Sequence, residues 1–172
     1  ILEVSKNSNK CCLFLGRSLQ KILESAKENN LLLGFNNIVT EKEAEMIPED
    51  DLVVICTGSQ GENKAALSRL VDGRHKCFKL EKNDTVIFSS REIPGNEKKI
   101  NQIKSVVSRN GCTLLDDSNA KVHVSGHPSR GELKKMYDMV LPDLLIPIHG
   151  EYRHLNEHCL LYTSDAADDD HC

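Results

Sequence analysis

Residues 52–71 read LVVICTGSQGENKAALSRLV, and this stretch carries the pattern that decides the fold. Leu52–Cys56 is an apolar run rich in β-branched residues, which predicts a strand buried on both faces. The next residues, 57–62, contain two glycines and predict a tight turn, and Ser59 and Glu62 have the spacing of a helix capping box. Apolar residues at helical spacing from Ala66 onwards then predict a helix. A strand that leads through a glycine turn into a helix is typical of a parallel α/β sheet.

The same alternation of strands and helices continues on both sides of this stretch. Upstream, Cys11–Leu15 predicts a strand, and apolar residues spaced from Leu19 to Ala26 predict a helix. Downstream, Thr85–Phe88 and Cys112–Leu115 predict two more strands with a helix between them. The expected fold class is therefore α/β, with a parallel-rich sheet flanked by helices.

The segment 121–150 predicts one further strand–helix–strand unit. Its strands are expected at Lys121–Ser125 and Leu144–Ile148, around a helix that begins with a capping box. His127 follows the first strand and His149 follows the second, at the carboxyl edge where α/β sheets place ligands. Neighbouring strands lie about 4.8 Å apart, so the two imidazoles could face one substrate group. The alternative is that both histidines are half-buried structural side chains.

The helix of that unit has its own predicted details. Ser129 and Glu132 form the capping box, and the buried face is expected to consist of Leu133, Met136 and Val140.

Two loops are candidates for phosphate binding because each joins a strand to a helix start, where free N–H groups favour an anion. The first is TGSQGE at 57–62, and the second is SSREIPGNE at 89–97. The first loop lacks the G-x-x-x-x-G-K pattern of a nucleotide-binding P-loop. The alternatives are a plain tight turn for the first loop and a helix N-cap role for Asn96 in the second.

The charge of the chain gives no general attraction for a polyanion. Of its 26 acidic residues, four follow His158, which leaves 22 acidic against 22 basic residues. A neutral chain must bind nucleic acid through local loops. The seven cysteines form no C-x-x-C pair and are expected to be buried, reduced thiols. No run of about 18 apolar residues occurs, so no membrane span is expected.

The C-terminal stretch has two distinct features. Residues 159–172 begin CLLYTSDAAD, which resembles a translated sequencing adapter, so they are expected to be non-native; a natural acidic tail is the alternative. His154 and His158 match the H-x-x-E-H pattern of some zinc peptidases, but a solvated helix face explains them better.

Five stretches together resemble the ribonuclease J family, within the β-CASP group of metallo-β-lactamase-fold nucleases. They are TGSQGE (57–62), DTVIFSS (84–90), IPGNE (93–97), VHVSGH (122–127) and PIHGEYR (147–153). The resemblance covers residues 1–158, and Gly16-Arg17-Ser18 fits it too. It implies that residues 1–118 are part of a β-CASP domain, and that residues 119–158 are a returning segment of a metallo-β-lactamase domain.

The resemblance implies metal-dependent hydrolysis of RNA, as a 5′–3′ exoribonuclease, an endoribonuclease or both, in cytoplasmic RNA processing and decay. His127 and His149 would be catalytic, and His149 would bind one of two divalent metals, Zn²⁺ or Mn²⁺. The residues implied in RNA or phosphate binding are Ser125, Gly126, Thr57, Gly58, Ser59, Gln60, Gly61, Glu62, Ser89, Ser90 and Asn96. A homo-oligomer is expected for the intact protein.

The sequence departs from the family in one major respect. The family's H-x-H-x-D-H motif and its acidic metal ligand do not occur here, which leaves His149 as the remaining ligand. The chain alone is therefore predicted to bind metal poorly and to hydrolyse little RNA. Two alternatives stay open, a non-catalytic RNA-binding β-CASP module and a DNA-directed β-CASP nuclease, and His149 favours RNA by family analogy.

Overall fold

The structure is a computed structural model that describes residues 1–163. The described residues fall into two compact units, Ile1–His123 and a second unit that begins at Val124. The domain junction predicted after residue 118 lies shortly before this division. None of the helices in the described range is long and apolar enough to span a membrane.

The first unit alternates strands and helices, as the sequence predicts. Its elements are α1 (Leu2–Asn7), β1 (Cys11–Leu15), α2 (Arg17–Glu28), β2 (Ile38–Val39), α3 (Glu41–Ala44), a 3₁₀ turn (Glu49–Asp51), β3 (Leu52–Cys56), α4 (Ala66–Val71), β4 (Thr85–Ile87), α5 (Glu97–Arg109) and β5 (Thr113–Leu115). The strands form two parallel sheets, one in the order β2-β1-β3 and one made of β4 and β5. The expected α/β class with parallel strands and flanking helices is confirmed.

The core of the first unit is built on β1 and α5. Leu13 and Leu15 of β1 are fully buried, because β1 has a neighbouring strand on each side. A second apolar cluster forms around Ile100 and Val107 of α5. The expectation that β3 is buried on both faces is wrong, since Val54 is 37% exposed. The strand β3 lies at the edge of its sheet, where neighbours cover less of it.

The second unit contains α6 (Arg130–Val140) and α7 (Tyr152–Thr163). The helix of the expected strand–helix–strand unit is thus present, but the strands predicted at Lys121–Ser125 and Leu144–Ile148 are absent from the described residues. A strand exists only where a neighbour accepts its backbone hydrogen bonds, and no described segment pairs with either stretch. Their apolar side chains stay uncovered, with Val124 88% and Ile148 91% exposed.

The buried face of α6 also differs from the prediction. Met136 and Val140 are exposed, whereas Tyr137 is buried. Tyr137 stacks on His158 of α7 with a centroid distance of 5.7 Å, so the contact between the two helices selects the buried face. The helix α7 includes residues 159–163 of the stretch predicted to be non-native, and residues 164–172 lie outside the described range.

Candidate functional site

The carboxyl ends of β1 and β3 lie side by side in one parallel sheet. The Thr57 N–H donates to the Leu15 carbonyl at 3.1 Å, which extends the pairing of these strands by one residue. Directly after β1, Gly16 has a φ of +126°, and a side chain there would collide with Thr57 Oγ1. Glycine therefore allows the loop after β1 and the TGSQGE loop to touch.

The TGSQGE loop folds as a tight turn whose glycines allow close packing. The Gly61 N–H donates to the Gly58 carbonyl at 3.1 Å. Gly61 has a φ of +78°, and a Cβ there would lie 2.6 Å from the Cβ of Lys99 on α5. The turn is thus pressed against α5 at a point where only glycine fits.

The capping box predicted from Ser59 and Glu62 is wrong, because α4 begins later, at Ala66. The Glu62 carboxylate instead accepts the Gln60 N–H at 3.2 Å, and the Glu62 carbonyl accepts the Ser68 hydroxyl at 2.8 Å. These contacts close the loop on itself before α4 begins.

Gln60 joins the TGSQGE loop to the loop that follows β4. Its side-chain oxygen accepts the Ile93 N–H at 3.0 Å and lies 3.5 Å from the Asn96 amide nitrogen. Its Nε2 donates to the Arg91 carbonyl at 2.9 Å. The two loops predicted to bind phosphate therefore lie together, although their strands belong to different sheets.

A largely buried lysine of α5 also holds this loop. Lys104 of α5 contacts the Glu92 carboxylate at 2.7 Å and the Asp116 carboxylate at 2.6 Å, and its ammonium lies 5.4 Å from the centre of the Phe88 ring. Burial lowers the pKa of Lys104, but its hydrogen bonds to Asp116 and Glu92 outweigh this effect and raise it. The hydrogen bond from Lys104 lowers the pKa of Asp116 to about 2, helped by Ser118.

The hydroxyl and amide groups predicted to bind phosphate differ in their availability. Ser89 donates its hydroxyl to the Val122 carbonyl at 2.7 Å, and Asn96 is the N-cap residue of α5 without a side-chain capping bond. Among the described residues, the Ser59 and Ser90 hydroxyls have no hydrogen-bond partner. These two groups are therefore free to bind a ligand.

The candidate residues of the second unit are exposed and loosely organised. The His127 N–H donates to the Ser125 hydroxyl at 3.2 Å. Gly126 beside it and His149 are exposed. No hydrogen bond or ring contact joins His127 to His149 in residues 1–163, and the strands expected to align them do not form. The convergence of the two imidazoles on one substrate group stays a prediction.

The described residues by themselves do not fit a metal centre. No group of three or more His, Cys, Asp or Glu side chains is placed to share an ion within residues 1–163. His154, from the H-x-x-E-H pattern, accepts the Glu151 N–H through Nδ1 at 3.1 Å and so helps to begin α7. A metal bound by His149 needs ligands from elsewhere.

Sequence reasoning missed Lys104 and Asp116, which tie α5 and the end of β5 to the loop after β4. A pattern in the sequence points to Lys104. It lies four residues after Ile100 and three before Val107, within the apolar stripe of α5, where a charged side chain needs a partner.

Comparisons with known proteins match both parts of the chain. The model of the family described as "Ribonuclease J, beta-CASP domain" matches residues 1–107. A second model, described as "Zn-dependent metallo-hydrolase RNA specificity domain", matches residues 118–166.

Curated relatives named Ribonuclease J are similar over most of the chain. The Sinorhizobium meliloti protein is 42% identical over 94% of this chain, the Mycoplasma pneumoniae protein 36% over 89%, and the Mycolicibacterium smegmatis protein 40% over 88%. The chain spans 28% of the length of the first relative and 27% of the other two.

Proposed function

This chain belongs to the ribonuclease J family, and from that premise we propose that the whole protein is a metal-dependent ribonuclease. The proposal covers 5′–3′ exonucleolytic cleavage, endonucleolytic cleavage or both, in RNA processing and decay. The cytoplasm is the proposed location.

The observation that carries the proposal is the junction of the two glycine-containing loops through Gln60. The free hydroxyls of Ser59 and Ser90 lie on these two loops, and the contacts of Gln60 hold the two loops together. Such an arrangement suits a phosphate chain, because hydroxyls and N–H groups donate to phosphate oxygens without sequence preference. A neutral chain can bind RNA in this way without a broad basic surface.

In the proposed reaction a water-derived oxygen attacks the phosphorus, and the bond to the leaving sugar oxygen breaks. The family match supports a divalent metal, Zn²⁺ or Mn²⁺, which would supply an activated hydroxide. This chain would contribute His149 as one ligand, and His127 would donate a hydrogen bond to the attacked phosphate. Ser125 and Gly126 would help to hold that phosphate.

The test uses an RNA that carries a 5′ monophosphate and a label at its 3′ end. Its cleavage by the whole protein is measured after metal removal and again after addition of Mn²⁺ or Zn²⁺. Loss of activity on chelation and recovery with metal are expected. Stepwise shortening would indicate exonucleolytic cutting, and discrete internal fragments would indicate endonucleolytic cutting. RNA binding without cleavage in either metal would contradict the proposal and favour a non-catalytic RNA-binding module.

Replacement of His127 separates chemistry from binding. His127→Ala in the whole protein should lower the cleavage rate by about 100-fold or more, because a charge-stabilising donor acts mainly in the transition state. RNA affinity should fall far less. Single-turnover rates and fluorescence anisotropy measure the two quantities. Equal losses in both would assign His127 a binding role only.

A DNA-directed nuclease is the second candidate function. The PIHGE stretch at 147–151 favours RNA, by analogy within the β-CASP group. The discriminating measurement compares cleavage of RNA and DNA strands of the same sequence. Faster cleavage of the DNA strand would contradict the ribonuclease proposal and favour a DNA-directed nuclease.

A homo-oligomer is proposed for the whole protein by the same family analogy. Light scattering of the whole protein gives the mass in solution. A mass equal to one chain would contradict this part of the proposal.

A further inference from the structure

We propose that Gln60 is a positioning residue that fixes the backbone of the loop 89–96, so that the Arg91 guanidinium binds an RNA phosphate. The inference rests on the proposed function. It reassigns Gln60, which the sequence suggests as an RNA ligand, and adds Arg91, which the sequence pattern does not single out.

Three of the four hydrogen-bonding positions of the Gln60 side chain are directed at this loop, two at its oxygen and one at its nitrogen. Its oxygen accepts from Ile93 N–H and faces the Asn96 amide, and its nitrogen donates to the Arg91 carbonyl. A carboxamide offers two acceptor sites and two donors, and both oxygen sites are directed at this loop. A bound RNA would have to compete with these contacts, so a supporting role explains Gln60 better than direct binding.

The loop is held at neighbouring residues by two different elements. Gln60 binds the Arg91 backbone, and Lys104 binds the Glu92 side chain. Because Lys104 is itself anchored to Asp116, the Glu92 carboxylate is directed to the helix side of the loop. Arg91 thus projects from a backbone that is fixed before any ligand arrives, which lowers the entropy cost of binding.

The charges near Arg91 are already engaged. Glu92 is paired with Lys104, and the Glu97 carboxylate accepts the Gly95 N–H at 2.9 Å. Arg91 is exposed and has no ion-pair partner among the described residues. Its guanidinium therefore offers a full positive charge beside Ser90, whose hydroxyl is also unpaired. Phosphate is the ligand that suits this combination, because a guanidinium fork binds phosphate oxygens in pairs.

The test is the salt dependence of RNA affinity in the whole protein, measured by anisotropy with a short single-stranded oligoribonucleotide. Removal of one phosphate contact lowers the slope of log K against log salt by about 0.7 for single strands. Arg91→Ala should show this shift. Gln60→Ala should show a shift of the same sign although it removes no charge, because it releases the Arg91 backbone. The double variant should resemble Arg91→Ala alone.

Arg109→Ala is the matched control. It removes the same charge from the far end of α5, about 18 Å along the helix from Glu97, and the slope should not change. Gln60→Glu provides a second variant, because it keeps the acceptor for Ile93 N–H but places a carboxylate against the Arg91 carbonyl. Thermal melting checks that every variant is folded.

The outcomes separate this inference from the proposed function. An unchanged slope for Arg91→Ala, with RNA still bound by the wild type, would overturn the inference and leave the proposed function intact. Weaker binding by Gln60→Ala at an unchanged slope would make Gln60 a direct ligand and would also overturn it. No RNA binding by the wild type would reject the proposed function itself.

Discussion

At the scale of single residues, Lys104 and Asp116 form the ion pair that defines one side of the candidate site. Their side chains are 15% and 12% exposed, and their charged atoms lie 2.6 Å apart. Two charges withdrawn from water are stable only when each satisfies the other and further hydrogen bonds complete the arrangement. Glu92 and Ser118 provide those additional partners.

Loss of the Asp116 charge should destabilise the fold. Asp116→Asn is expected to lower the free energy of unfolding by on the order of 2 kcal/mol at neutral pH, since the folded-state pKa of Asp116 is depressed from 3.8 to about 2. A depressed pKa contributes stability above the unfolded value, so the difference from the wild type should shrink below pH 3.8 and disappear as the pH falls through about 2. Urea unfolding of the variant and the wild type at several pH values measures this difference in the free energy of unfolding.

Asp117→Asn is the control for this experiment, because it removes an equal charge from the adjacent, exposed position. Its effect should be small at every pH. A loss of stability by Asp116→Asn that stays constant down to pH 2 would contradict the assigned ionic role.

At the scale of elements, the local pattern predicts strands correctly where a described segment pairs with them. Cys11–Leu15 and Leu52–Cys56 were predicted with their observed limits, because their apolar runs pair with each other. Lys121–Ser125 and Leu144–Ile148 have the same kind of pattern and form no strand in the described range. A local pattern specifies a preference for extended backbone, but the partner strand comes from tertiary structure.

Some features of the candidate site are visible in the local sequence, whereas others depend on contacts between distant residues. The glycine loops were predicted because positions such as Gly61 show their constraint in the sequence. The contacts of Gln60 and Lys104 reach residues that are far away in the chain, 31 and 12 positions in the case of Arg91 and Asp116. Such contacts depend on how the elements pack, which the sequence pattern alone does not specify.

The helix α6 gives an element-scale prediction. Its capping box is complete: the Ser129 hydroxyl accepts the Glu132 N–H at 3.3 Å, and the Glu132 carboxylate accepts the Ser129 N–H at 2.7 Å. Ser129→Ala should destabilise the first turn by about 1 kcal/mol. Amide hydrogen exchange in that turn should accelerate accordingly.

Ser129→Thr keeps the capping oxygen and should exchange close to the wild-type rate. The Ser129 backbone N–H, and then the Ser129 side chain, lower the pKa of the Glu132 carboxyl, so the cap is intact at neutral pH and weakens as the carboxylate is protonated in acid. Equal exchange rates for the Ala and Thr variants would show that the hydroxyl has no capping role.

At the scale of the whole molecule, the chain spans only 27–28% of the length of the relatives compared above, and we expect it to hold too few ligands for a stable metal site. We expect the 172-residue chain to bind Zn²⁺ or Mn²⁺ only weakly and to cleave little RNA, because a stable site needs three or four protein ligands. Titration calorimetry and an RNA cleavage assay measure both properties.

The effect of His149→Ala should differ between the isolated 172-residue chain and the whole protein. In the isolated chain it should change metal affinity little, whereas in the whole protein it should reduce both metal content and activity. Manganese-dependent cleavage by the chain at a rate comparable to the whole protein would contradict the expectation.

The parallel arrangement of the strands also has a consequence for how the chain acquires its fold. Every strand pair in the described residues is parallel, so none can start from a short hairpin. Leu13 pairs with both Val39 and Val54, which are synthesised later than Leu13. Contacts between distant positions slow folding. The first strand can pair with β2 early, but its other edge should stay open until the third strand has been synthesised, and during that interval its apolar residues can bind chaperones.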